Sequence, residues 1–443
     1  MQILLVLMLL LFSANHATAE QLSLREAISR ALERNHLVKA AAYSAEAGER
    51  GVAAGRSGYL PKIWLDAGGE VSNAPTRVFM MKLDQGRFTS DDFLIPNLNH
   101  PKSHGNFRTG VELEQPLFDL RIGHNVDLAR QGADMEQFLL VSRREETAFR
   151  VYASCLDIQR AKARLSVTER AIADAREHLR LATLRNETGV GLKSDELRAR
   201  TFLAEREQEA ITAQNDVAIA RMRLSLTTGG EAGNPIDISE PLPQPVLDKS
   251  KETLVSEGLA NRTDLKIAQK GVARAATREK LAGSEFFPTA YASASYRMND
   301  RDLPFGRDND AWQAGVGLKW ELFDGMRRWN GREQARAMKN SAEEELQSVR
   351  QEVAFQVDEA LLRRSEAEKK LEVARQGVRY AEESTRLIAR RFENSLSTMV
   401  ELLDAQTALD NGRASLVESE AGYALATARV YYAAGEFLQE VLK

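Results

Sequence analysis

Cysteine is nearly absent from this 443-residue chain, with Cys155 the only one, so no intrachain disulfide can form. A disulfide-laced secreted scaffold and a zinc ribbon are both excluded. A basic surplus is also missing: 60 Lys and Arg against 64 Asp and Glu give a formal charge of -4 and a pI near 6.0. Such a balance offers no surface for a phosphate backbone, which removes nucleic acid from the expected partners. Past residue 12, no stretch approaches the roughly eighteen consecutive apolar residues that a transmembrane helix requires. There is no Ser-His-Asp set, no phosphate loop and no metalloprotease helix, so neither an enzyme nor a cofactor is expected.

One short apolar run stands out. Residues 3–12 are unbroken apolar sequence, too short to span a bilayer, and Ala17-Thr18-Ala19 follows as a small-residue cleavage site. Residues 1–19 read as a secretory signal peptide, although the segment before the run carries only the amino group of Met1. An exported chain beginning at Glu20 is predicted. No cysteine lies near the cut, which excludes a lipid anchor there.

Proline is scarce, and its placement is informative. The prolines fall at 61, 75, 96, 101, 116, 235, 241, 243, 245, 288 and 304, leaving residues 117–234 and 305–443 free of the strongest helix breaker. In the first of these stretches Ala148, Val151, Cys155, Ile158, Ala161, Leu165, Thr168, Ile172, Ala175, Leu179 and Ala182 keep a 3-4 spacing, the seam of a coiled coil. In the second, Ala367, Leu371, Ala374, Val378, Ala381, Thr385, Ile388 and Phe392 do the same. Abundant alanine lets helix axes approach closely. A helix over 121–187 would be about 100 Å long at 1.5 Å per residue. Each long helix is followed by a brief turn and a second, antiparallel helix, giving two long hairpins.

The chain also repeats itself. Leu32 and Leu259 share a context 227 positions apart, as do Pro61 and Pro288. Leu117-Phe118-Asp119 matches Leu322-Phe323-Asp324 at an offset of 205, and Gly229 matches Gly435 at 206. The first copy therefore carries about 22 extra residues between Pro61 and Leu117. Two structural repeats are predicted. The first, 20–234, has strands near 62–72 and 106–118 and helices near 121–187 and 194–228. The second, 235–443, has strands near 289–298 and 311–323 and helices near 326–393 and 398–440.

The strands show as alternation. Phe107, Thr109, Val111 and Leu113 interleave with Arg108, Gly110, Glu112 and Glu114, while Trp312, Ala314, Val316, Leu318, Trp320 and Leu322 interleave with Gln313, Gly315, Gly317, Lys319 and Glu321. Ala290, Ala292, Ala294, Tyr296 and Met298 form another apolar face, and Ile63, Leu65, Ala67, Gly69 and Val71 a weaker one. Alternation alone also suits a soluble sheet over a core. Strands of about ten residues with Trp or Tyr near their ends instead suit a membrane β-barrel. A bilayer admits no open sheet edge, so four strands require completion by other subunits.

Repeated units of a strand pair plus a very long helical hairpin, behind a signal peptide, resemble the TolC-type outer membrane efflux proteins. The residues carrying the resemblance are Gln115-Pro116-Leu117-Phe118-Asp119, Trp320-Glu321-Leu322-Phe323-Asp324-Gly325 and Glu401-Leu402-Leu403-Asp404-Ala405-Gln406. It covers essentially the whole mature chain. It implies a fold mainly α with membrane β, in which three protomers form a twelve-stranded β-barrel continued by a twelve-helix α-barrel across the periplasm. It further implies outer membrane lipid around the barrel, a periplasmic adaptor, an inner-membrane pump and a passive duct for small toxic compounds. The outer-membrane step of type I protein secretion shares this architecture, and a periplasmic adaptor or structural coiled-coil protein would share the long hairpins.

The resemblance places the working parts at the hairpin turns. Gly189, Val190, Gly191 and Leu192, with Ser395, Leu396, Ser397 and Thr398, become adaptor-docking tips. Asp195, Glu401 and Asp404 become acidic rings of a periplasmic gate. Local chemistry offers other roles: Glu401 can complete a capping box with Thr398, and Asp195 can be a first-turn charge behind an N-capping Ser194. Phe392 and Ser397 stand where family members often have a gating tyrosine and arginine, so those closing bonds are unavailable and a different latch is implied. Ser395 stands where glycine is usual, which argues against a standard docking turn.

In the extra segment, 73–105, His100 and His104 with Met80 and Met81 suggest metal capture, but two His four apart without a third defined ligand form no recognisable site. An extracellular loop is the better reading. Cys155 sits in the helical seam as a small apolar residue.

Overall fold

The computed structural model describes residues 20–242 and 246–441. The expected signal peptide lies outside the described residues. In chain order the elements are β1 (Glu20–Leu22), α1 (Leu24–Arg34), α2 (His36–Arg56), β2 (Lys62–Ser72), α3 (Pro75–Asp84), α4 (Ile95–Asn99), β3 (His104–Phe118), α5 (Leu120–Glu187) and α6 (Lys193–Thr227). They continue with β4 (Ile236–Ile238), α7 (Lys251–Asn261), α8 (Thr263–Ser284), β5 (Thr289–Asp300), β6 (Asn309–Lys319), α9 (Arg327–Glu393), α10 (Met399–Ala433) and α11 (Phe437–Val441). Among the described residues, no helix is long and apolar enough to cross a membrane.

Contacts divide the chain into two compact units. One, residues 45–136 and 269–345, holds a four-stranded antiparallel sheet of order β2-β3-β5-β6. The register aligns the alternating faces across all four strands: Leu65 lies opposite Val111, Val111 opposite Tyr296 and Tyr296 opposite Trp312. That row is bare, with Leu65 64% and Trp312 78% exposed. The opposite face is polar: Glu112 accepts from Arg297 at 2.7 Å and from the Trp64 indole at 3.1 Å. The alternation thus becomes an apolar face without a cover and a charged face that satisfies itself.

Each strand-to-helix corner is held by its aspartate. Asp119 accepts from the Arg121 backbone at 2.9 Å and from its guanidinium, and Asp324 accepts from the Arg328 backbone at 3.1 Å and its Nε at 2.8 Å. The second corner ends β6 at Lys319, four residues before the expected 323, because the residues up to Asp324 leave the ladder to form the turn. The segment 73–105, expected as a loop, carries the helices α3 and α4. Pro75 and Pro96 explain their starts, since proline is preset for the first helical turn.

The other unit comprises 20–44, 137–268 and 346–441 among the described residues. Its largest core packs Ala148, Val151, Tyr152, Cys155 and Ile158 of α5 against Val217 and Leu224 of α6, Ala424 and Ala428 of α10 and Ile28 of α1. This is the 3-4 seam, now buried. Burial pushes the Cys155 thiol up to about 12, so it behaves as an inert apolar residue. At the end of α6, Gly229 takes a φ of +81° and passes so close to Arg34 that a Cβ would meet its carbonyl carbon at 2.6 Å. Gly435 takes the corresponding left-handed conformation after α10. The helix expected over 398–440 is interrupted there, and α11 begins at Phe437.

Candidate gate and docking tips

The first tip closes on the carbonyl of Arg185. The amides of Val190 and Gly191 donate to it at 3.0 and 2.8 Å, with Gly189 left-handed at φ +74°. Val190 and Leu192 are exposed. α6 then starts at Lys193 with Leu192 at the N-cap position and no side-chain cap. This corrects the sequence reading: Ser194 is inside the helix, not its cap. Asp195 is in the first turn, half-buried, and its carboxylate has no ion pair among the described residues.

Next to it lies a carboxylate that sequence reasoning passed over. Glu196 is buried and accepts from Lys193 at 2.7 Å, Arg200 at 2.8 Å and Asn186 at 2.9 Å. The Lys193 hydrogen bond first, then the charges of Lys193 and Arg200, hold its carboxyl below the usual range against the opposing effect of desolvation. Charges at i−3 and i+4 were the available signal, but nothing local says which glutamate turns inward.

The second tip turns through a left-handed serine. Ser395 adopts φ +60°, with its amide donating to Phe392 at 2.9 Å and that of Leu396 to Arg391 at 2.7 Å. A non-glycine residue there costs about 1–2 kcal/mol. Ser395 and Leu396 are exposed, and Ser397 turns its hydroxyl back to the Ile388 carbonyl at 3.2 Å. Thr398 caps α10 through a reciprocal box: its backbone donates to Glu401 at 2.9 Å, and the Glu401 amide donates to its hydroxyl at 3.2 Å. Glu401 and Asp404 are both exposed, and Asp404 has no ion pair among the described residues. Among the described residues, no hydrogen bond or ion pair links Asp195, Glu401 and Asp404 to one another.

Beneath the turns, Phe392, Met399, Leu402 and Leu403 pack against Ala175, Ala182, Ala199 and Phe202, so the two hairpins share one apolar cluster. Farther along α10 is a buried polar network. Gln406 donates to Asp174 at 3.1 Å and to Asp410 at 3.0 Å, the His178 ring contacts Gln406 at 3.3 Å, and Arg206 approaches Asp410 at 3.9 Å. Burial pushes the Asp410 carboxyl up to about 6, only partly opposed by the Gln406 hydrogen bond and the Arg206 charge. His104, weighed above as a metal ligand, is buried and bonded at Nε2 to Gln85 at 2.7 Å.

Long helical hairpins ending in exposed turns, together with a four-stranded antiparallel sheet with one bare apolar face, define the fold of an outer-membrane channel subunit. Solved structures share it. An outer membrane channel from Campylobacter jejuni, CmeC, superposes with a TM-score of 0.78 at 15% identity, covering 94% of this chain and 86% of that one. The outer membrane protein VceC of Vibrio cholerae gives 0.74 at 17%, covering 93% and 96%. This chain belongs to the outer membrane efflux protein family, whose model matches residues 27–230 and 254–436. Among curated proteins it is 22% identical to the outer membrane efflux protein BepC of Brucella suis, over 75% of this chain and 73% of that protein. It is 21% identical to nodulation protein T of Rhizobium leguminosarum, over 72% and 68%. The family is one of channels, not of enzymes.

Proposed function

We propose that this protein is the exit duct of a tripartite efflux system. Three copies complete a twelve-stranded barrel in the outer membrane, continued by a twelve-helix tunnel through the periplasm, for passive release of small toxic compounds. The mature chain begins at Glu20 and consists of two repeats, 20–234 and 235–443. One observation carries the reading: among the described residues the sheet ends at β2 and β6 with neither outer edge paired, and its apolar face is bare. Unpaired backbone groups cost several kcal/mol each in hydrocarbon, so a membrane sheet of four strands is stable only when further copies close it. Sedimentation of the purified protein in detergent tests this. Trimers are expected, and a stable folded monomer overturns the reading.

The tips, Gly189 to Leu192 and Ser395 to Thr398, are where a periplasmic adaptor docks and brings the inner-membrane pump. Three copies of Asp195, Glu401 and Asp404 place nine carboxylates at the narrow end, where like charges concentrate cations. Glu401 then serves both as cap and as ring member. Glu401→Gln alone preserves the capping box and should be nearly silent in stability. Glu401→Gln with Asp404→Asn should shift the reversal potential in single-channel recordings away from cation selectivity. An unchanged reversal potential in intact trimers would return both residues to a structural role.

A further inference from the structure

Nothing in the duct reading uses the cavity of about 480 Å³ that the segment between β2 and β3 encloses with the β5–β6 connection. Four cations line it: Lys82 of α3, Arg87 in the turn that follows, Lys102 on the approach to β3, and Arg301 just past β5. Among the described residues Asp92 is the one carboxylate in the lining, and it is already engaged. It accepts from the Lys82 ammonium at 2.5 Å, from the Thr89 amide at 2.9 Å and from the Thr89 hydroxyl at 3.0 Å. Arg87 is held from outside the lining by Asp308 at 2.7 Å and Asp302 at 3.6 Å.

The other two cations are not neutralised in this way. Lys102 is exposed and has no ion pair among the described residues. Arg301 is exposed too, and its ion pair is a 3.7 Å approach to the neighbouring Asp302, which Arg87 shares. The start of β3 brings the two together, since a Cβ on Gly105 would lie 3.6 Å from the Arg301 carbonyl oxygen. Positive charge is therefore in surplus around a cavity whose acid already has its cation, and such a site selects an anion over a metal ion.

The frame of the cavity is fixed. His104 is buried and bonded to Gln85 at 2.7 Å, and the buried Gln85 side chain donates to the Gly105 carbonyl at 2.8 Å and to Asn106 at 2.9 Å. One part of the lining is aromatic, with Phe79 and Phe88 edge to face at 4.7 Å between ring centres. A bare inorganic ion would leave most of that volume and both rings unused. A sugar carrying a phosphoryl group suits all of it: the C–H face of the sugar meets the rings, and the phosphoryl oxygens accept from ammonium and guanidinium groups.

We propose that this cavity is a binding site for a phosphorylated sugar, with Lys102 and Arg301 as the residues that recognise the phosphoryl group. Its outward placement rests on the channel reading of the preceding section. That placement gives the ligand two sources, the phosphorylated sugars of lipopolysaccharide in the surrounding outer leaflet and soluble sugar phosphates outside the cell.

Isothermal titration of the purified full-length protein in detergent tests the site with glucose-6-phosphate, with glucose, and with lipopolysaccharide truncated to lipid A and inner core. The sugar phosphate should bind and glucose should not, and added salt should weaken binding because charge carries it. Lys102→Ala and Arg301→Ala should each cost about tenfold in affinity, the loss of one charge-assisted hydrogen bond. Arg180→Ala, in the other unit and paired with Glu177, should bind as wild type. Lipopolysaccharide that binds more tightly than the sugar phosphate, with the same losses in both variants, assigns the site to the outer leaflet. An equal or reversed order assigns it to a soluble sugar phosphate. The proposal is overturned if neither phosphorylated probe binds, if glucose binds as tightly as its phosphate, or if affinity is unchanged in the Lys102→Ala, Arg301→Ala double variant. Trimers that bind neither probe remove the site and leave the channel standing, whereas monomers that bind the sugar phosphate remove the channel and leave the site.

Discussion

Asp410 shows how one residue's surroundings set its chemistry. Its carboxyl is buried between helices, faced by Asp174 and His178 of α5, Arg206 of α6, and Gln406 and Arg413 of α10. Because the folded carboxyl sits near 6, above its ordinary value, its contribution to stability is fully present below about pH 4 and is lost as pH rises through 6. Asp410→Asn should therefore raise the melting temperature at pH 7.5 by about 1–3 °C, raise it less at pH 5, and make little difference below about pH 4. A larger gain at pH 5 than at pH 7.5 would contradict this account. None of it was legible locally, since nothing in the sequence around Asp410 marks it as buried. Glu401 was legible, because Thr-x-x-Glu describes its own partner.

At the scale of elements, α9 exposes an apolar stripe. Phe355, Leu362, Val373, Tyr380 and Leu387 follow one another at spacings of 7, 11, 7 and 7, which keep them on one side of an α-helix. All five remain open to solvent in a single chain, with Leu362 72% and Tyr380 73% exposed. A stripe that long calls for a partner helix, and the trimer proposed above supplies one from the next copy. Leu362→Asp with Tyr380→Asp should convert trimers to smaller species in detergent while circular dichroism keeps its helical signal. Trimers that persist would show that this side of α9 is not an interface. The stripe escaped sequence reading because the buried seam on the same helix, through Leu371 and Val378, carries a similar period.

At the scale of the whole molecule, the outer-membrane reading makes the segment between β2 and β3 face outward. Its turn after α3 is pinned to the β5–β6 connection by Arg87, which pairs with Asp308 at 2.7 Å. A protease site introduced between Gly86 and Phe88 should be cut by enzyme added to intact cells, and the trimer should survive the cut because its ends are held by β2 and β3. Full protection from cleavage would count against the outward placement.

Periodicity is a property of the covalent chain, and what it encodes was readable directly: long helices from an uninterrupted seam free of proline, strands from alternation, and corners from the Leu-Phe-Asp pairs. Helix and strand ends were less so, because a turn such as Gly435 or Asp324 competes with a pattern that would otherwise continue. The tertiary structure alone decided which polar groups lost their water and which distant residues met. Arg185 and Phe392 are 207 residues apart, and their contact depends on how two hairpins share a core, which no local spacing records. Glu196 and Asp410 likewise acquired their character from packing, since desolvation and partner charges act through space and not along the chain.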